Sequence, residues 1–276
     1  NLVMILVISN KKNNFFINHL IVILFWFFSV NLFSQKTIES EFKVPFGFER
    51  EIINDYHQWI INHPLKDDNK VLYSNGQEKI NNNIWVAVFD YNLGTHKYHQ
   101  CADAAIYLNA MYKYENGLKN QLIYSFTNGD KSSYKDWLNG AQYNLDPNNS
   151  RLLIKTYKSK REDNLVTFYN WLKMLWTWAG TGSLNYDTKN VDIFDMKPGD
   201  IFNQNGHAIS VVDVIINKSN GKKKFMLAQS FMIDRSMGDE QHILLNPKSG
   251  NVWYNLGNEI INTPEWTMEP EIIRFN

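Results

Sequence analysis

Apolar residues recur at helical spacing in three stretches of the chain. Phe48, Ile52, Tyr56, Trp59 and Ile60 make one stripe, which His63-Pro64 stops. A second, Ala104, Leu108, Met111 and Tyr112, lies within residues 101–116. There Ala102, Ala104 and Ala105 favour helix, and Gly117 is placed to end it. The third is Phe168, Trp171, Leu172, Leu175, Trp176 and Ala179, closed by Gly180 and Gly182. Elsewhere the pattern is that of strands. Residues 85–89 are continuously apolar, residues 209–216 have the β-branched content of a buried strand, and residues 224–231 return from it across a polar loop. Asn75-Gly76 between two short runs predicts a type I′ hairpin. The region from Phe126 to Pro147 reads as mixed turns, and the tail from His242 to Ile273 as short strands that finish the sheet. Helices interspersed with hairpins predict the α+β class.

With 276 residues, 44% of them hydrophobic, the chain can bury one sizeable core. Lys11 and Lys12 precede an unbroken apolar stretch over residues 20–30, too short for a membrane span, which needs about 18 apolar residues. This pattern predicts a signal peptide over residues 1–34, cleaved after Ser34, with a retained anchor as the alternative. The expectation is an exported protein with one domain over residues 35–276 and no stable membrane span after cleavage. Formal net charge is zero, and the densest basic cluster, Lys222-Lys223-Lys224, reads as a hairpin tip. Affinity driven by nucleic-acid phosphates therefore lacks support.

The single cysteine excludes an internal disulfide and leaves a free thiol that needs a reason, either burial or chemistry. Cys101 opens the second helical stretch, where the helix N-terminus favours a thiolate. His207 opens a strand after the turn Pro198-Gly199-Asp200 and the loop Asn205-Gly206, and Gln229 ends the returning strand. In an antiparallel hairpin those two ends are neighbours. Asp103 is read as stabilising the start of the helix. A zinc site from His96, His99, Cys101 and His207 matches no zinc-module spacing, and neither metal nor cofactor is expected.

Blocks along nearly the whole chain resemble a secreted bacterial family catalogued as domain of unknown function 4846. They include Gln100-Cys101-Ala102-Asp103-Ala104, Phe126-Thr127-Asn128-Gly129, Gly206-His207-Ala208, Leu227-Ala228-Gln229-Ser230 and Thr263-Pro264-Glu265-Trp266. The order Cys101, Pro198-Gly199-Asp200, Gly206-His207 and Gln229 also resembles that of papain-like hydrolases of the NlpC and CHAP kind. That resemblance implies a papain-like antiparallel sheet packed against a helix that starts at the cysteine, and a cysteine-dependent peptidase or amidase acting on cell-wall peptide or amide bonds. Cys101 is then the nucleophile, His207 the general base and acid, and Gln229 the group that orients the imidazole. The backbone N–H of Cys101, with Gln100 or His99, would form the oxyanion hole. The alternative is a non-catalytic exported protein that binds glycans or peptidoglycan on an inactive hydrolase scaffold, through Tyr134, Trp137, Tyr143, Trp253 and Trp266 as exposed aromatics.

Overall fold

Two short helices begin the folded part of the chain in a computed structural model that describes residues 35–91, 99–231 and 238–276. Residues 36–276 form one unit. The segment expected to be a signal peptide and His96 lie outside the described residues. Thr37 caps α1 (Ile38–Glu41) by accepting from the Ser40 N–H, and Asn54 caps α2 (Asp55–Ile61) by accepting from the His57 N–H. The helix expected from Phe48 therefore starts later. Its N-terminus is fixed where Asn54 satisfies a backbone donor, which leaves Ile52 and Ile53 exposed and outside the helix.

The Asn75-Gly76 turn is not type I′. Gly76 has φ +83° but Asn75 is not in the positive-φ region, and a single bridge joins Leu72 to Glu78. Beyond it come β1 (Trp85–Val88) and α3 (Cys101–Glu115), which ends at Asn116 and Gly117, the latter at φ +72°. The region expected as mixed turns holds β3 (Lys131–Ser133), α4 (Tyr134–Leu138) and β4 (Ala141–Asp146), whose strands form hairpins with the flanking β2 (Ile123–Ser125) and β5 (Asn149–Tyr157). Helix α5 (Leu165–Trp178) buries Phe168, Trp171, Leu172, Leu175 and Trp176. Gly182 does not close it but lies inside α6 (Thr181–Asp187), where the Ser183 hydroxyl accepts from the Gly180 N–H.

The remaining strands are β6 (Thr188–Val191), β7 (Ile201–Gln204), β8 (His207–Ile216), β9 (Lys223–Gln229), β10 (His242–Leu244), β11 (Tyr254–Asn255), β12 (Ile261–Asn262), β13 (Thr267–Met268) and β14 (Ile272–Phe275). The main sheet runs β1-β10-β9-β8-β7-β14-β6, with β11 also on β9, and every pairing in it is antiparallel. The class is α+β. Asn205 and Gly206 both have positive φ, at 53° and 82°, as a type I′ turn demands, and this two-residue link pairs Gln204 with His207.

Side chains alternate along β8 and β9 and divide between two cores. Ala208, Val212, Ile215, Met226 and Ala228 join the core that contains α2, α3 and α5, while Ile209, Val211, Val214, Phe225 and Leu227 join one on the other face with Tyr254, Met268 and Ile272. Each fully buried aliphatic or Phe side chain there contributes about 1.5–3 kcal/mol of transfer free energy. A bulge interrupts the alternation. Register passes from Val211 opposite Leu227 to Asp213 opposite Met226, which turns Val212 and Asp213 successively toward the helices. There the buried Asp213 accepts from His57 Nε2 at 2.9 Å and Arg50 Nε at 2.9 Å. His57 Nδ1 accepts from the Ile53 N–H, so Nε2 carries the proton. The His57–Asp213 hydrogen bond docks α2 on β8, and Arg50 supplies the ion pair.

Candidate active site

Cys101 is the first residue of α3, after Gln100 at the N-cap. The Gln100 N–H donates to Asp103 Oδ2 at 2.9 Å, which ties that buried carboxyl group to the start of the helix. Burial pushes the Cys101 thiol up from 9.0 to about 11. The N–H groups of Ala208, Ala102 and Cys101 itself pull the other way, and Asp103 adds to the rise. The contribution from the Ala208 N–H places the sulfur beside β8, one residue after His207. The expected lowering by the helix N-terminus is present in direction, but desolvation outweighs it.

His207 points elsewhere. Strand alternation sends Ala208 toward the core of α3 and His207 toward Phe231 and Trp266, whose rings lie 5.2 and 5.0 Å from the imidazole. Its Nε2 is 2.9 Å from Gln229 Oε1, across the β8–β9 hairpin. Gln229 Nε2 in turn donates to Glu265 Oε2 at 2.8 Å. Lys79 holds the same Glu265 oxygen at 3.2 Å and Asp239 at 2.9 Å.

This chain of contacts assigns the protons. A carboxylate can only accept, so Gln229 must present its amide N–H₂ to Glu265 and its carbonyl oxygen to His207. His207 Nε2 therefore carries a hydrogen, and Nδ1 keeps the basic lone pair. Burial pushes the imidazole down from 6.5 to about 4, Gln229 opposes this and Lys79 adds to it. Thiol and imidazole are thus both neutral near pH 7. Among the described residues no hydrogen bond joins Cys101 Sγ to His207, so the structure unites His207 with Gln229 and sets Cys101 beside the strand they share.

Glu265, Lys79 and Asp239 complete this network, and sequence reasoning had not singled them out as functional. Glu265 did stand in a recognisable block with Pro264 and Trp266, whereas a buried lysine has no local signature. His99 is also buried, with Nδ1 3.2 Å from the Asp239 carbonyl oxygen and its ring edge-on to Trp176. The hydrogen bonds of His99 and His207 to Asp239 and Gln229 engage one nitrogen of each, and His96 lies outside the described residues.

The aromatics expected on the surface are not there. Tyr134, Tyr143 and Trp253 are buried, and Trp137 and Trp266 are half-buried. Tyr134 packs on Phe168 and Trp171, and Trp137 stacks under Arg161 at 3.7 Å. The hydrophobic area of Tyr134, Trp137, Tyr143 and Trp253 was drawn into the core that contains α5, and that of Trp266 into the core on the other face of the sheet.

Fold and site together define an α+β protein with a buried thiol at a helix N-terminus beside a histidine–amide–carboxylate chain. The family described as Domain of unknown function (4846) matches residues 38–274, and the chain belongs to it. No curated protein and no solved structure gives a significant match.

Proposed function

We propose that the protein is an exported, papain-like cysteine-dependent peptidase or amidase whose unit is Cys101, His207 and Gln229, acting on cell-wall peptide or amide bonds. One observation carries the reading. Glu265 and Gln229 fix the His207 proton on Nε2, which leaves Nδ1 as the lone-pair nitrogen that a general base requires. In this mechanism the His207 ring must turn from Phe231 and Trp266 toward α3, and attack by Sγ on an amide carbonyl carbon then passes the thiol proton to Nδ1. Cleavage of the C–N bond returns that proton to the leaving amine, and water then hydrolyses the thioester. The N–H groups at the start of α3 face the oxyanion.

A second reading has its own support. Burial that raises the thiol to about 11 and lowers the imidazole to about 4 opposes a resting ion pair, as expected of a non-catalytic binding protein on the same scaffold. The deciding experiment is alkylation of Cys101 by iodoacetamide from pH 4 to 10, in the wild type and in His207→Ala. Alkylation near pH 7 that the variant loses supports the hydrolase. Equal rates in both proteins, rising only toward pH 11, overturn it and leave the binding protein.

A further inference from the structure

Where α2, α3, α5 and the end of β1 meet, the structure forms an open cleft of about 410 Å³, with Asp90 and Glu115 at its exposed rim, that contains neither Cys101 nor His207. Its walls include the aromatic rings of Trp59, Tyr107 and Tyr169, and its charged lining is Asp90 and Glu115, with no lysine or arginine. Neither carboxylate is ion-paired among the described residues. Glu115 is held in place by the Trp59 indole N–H, which donates to Oε2 at 2.7 Å. Burial above all, and then Tyr169, Glu115 and Asp90, disfavour ionisation of the Tyr107 hydroxyl, so the negative potential of both carboxylates reaches the inner wall of the cleft. His63 also lines the cleft and is 7% exposed, yet its Nε2 has no hydrogen-bond partner.

We propose that this cleft binds an organic ammonium group, seated against Trp59, Tyr107 and Tyr169 and neutralised by Asp90 and Glu115. Three features select a cation. The faces of Trp59, Tyr107 and Tyr169 attract positive charge. Two unpaired carboxylates with no cation in the lining repel an anion and gain from an ammonium. His63, which burial pushes down to about 4, is neutral at pH 7 and does not repel a cation. The volume falls in the range of small-molecule sites, about 300–1,000 Å³. The assignment stands whether or not Cys101 is a nucleophile.

The test follows the Trp59 indole N–H by NMR while n-butylammonium or its neutral isostere n-butanol is titrated into the folded protein at pH 7. The expected result is saturable binding of the ammonium, at least about tenfold tighter than the alcohol. The Asp90→Asn, Glu115→Gln double variant keeps both acceptors and is expected to weaken the ammonium at least about fivefold and leave the alcohol unchanged. Equal affinity for the two probes, no saturable shift in the wild type, or a folded double variant that keeps the full wild-type preference for the ammonium overturns the proposal.

Discussion

Glu265 and His207 share no hydrogen bond, yet Glu265 sets which nitrogen of His207 bears the proton. The link is Gln229, held at 2.8 Å on one side and 2.9 Å on the other. Glu265→Gln supplies both a donor and an acceptor and frees the Gln229 amide to turn over. Long-range ¹H–¹⁵N spectra of His207 are expected to show the Nε2–H tautomer alone in the wild type and a mixture of tautomers in the variant. A wild type already mixed would refute the proton assignment.

Gly238 lies against the segment that leads to Cys101. A Cβ at Gly238 would stand 1.7 Å from the His99 carbonyl oxygen, so one backbone or the other must move. Gly238→Ala is expected to lose about 1–3 kcal/mol in urea unfolding and to change the rate at which Cys101 is alkylated. An unchanged rate would mean that His99 does not position the helix start.

Asp213 holds two buried partners at once, the Arg50 guanidinium as an ion pair and the His57 Nε2–H as a hydrogen bond. Asp213→Ala strands the buried His57 and the nearly buried Arg50, at a cost of about 3–5 kcal/mol. Asp213→Asn can still accept from His57 Nε2 and is expected to lose clearly less. Equilibrium denaturation of both variants checks the ranking.

His63 gives a pH dependence with a definite sign. Unfolded histidine titrates near 6.5, and His63 in the fold is pushed down to about 4 by burial. Between those values the unfolded chain binds more protons, so the stability His63 contributes is full above pH 6.5 and is lost as pH falls to 4. His63→Phe removes that loss. Its stability is expected to fall less steeply than that of the wild type over this window, by up to about 1.4 kcal/mol per pH unit. Parallel curves would show that His63 is not buried in its neutral form.

Helix α3 and the β7–β8–β9 hairpins were legible because their signals are local. Ala102, Ala104 and Ala105 set the helix, Gly117 ends it, and Asn205-Gly206 dictates the tight turn before His207. The family, too, was readable from its blocks. Other features depend on distant parts of the chain. Whether Tyr134 or Trp253 faces water is decided by what packs over it, and an aromatic residue carries no mark of that in its own neighbourhood. The net shift of the Cys101 thiol was equally hidden. A helix start can be read from a sequence, whereas desolvation by β8 is a tertiary fact. The bulge that turns Asp213 toward His57 likewise has no signature in the run Val211-Val212-Asp213.

The bond from His207 to Gln229 closes only 22 residues of chain, whereas the contact of His57 with Asp213 closes 156. Short loops close at less entropic cost and faster than long ones. The order of assembly follows: the β8–β9 hairpin can position its histidine and amide while α2 and α3 are still unattached, and the segment carrying the thiol docks onto a surface that already exists. A variant that weakens only the docking of α2, such as Asp213→Asn, is therefore expected to accelerate unfolding and to leave the refolding rate of the hairpin nearly unchanged.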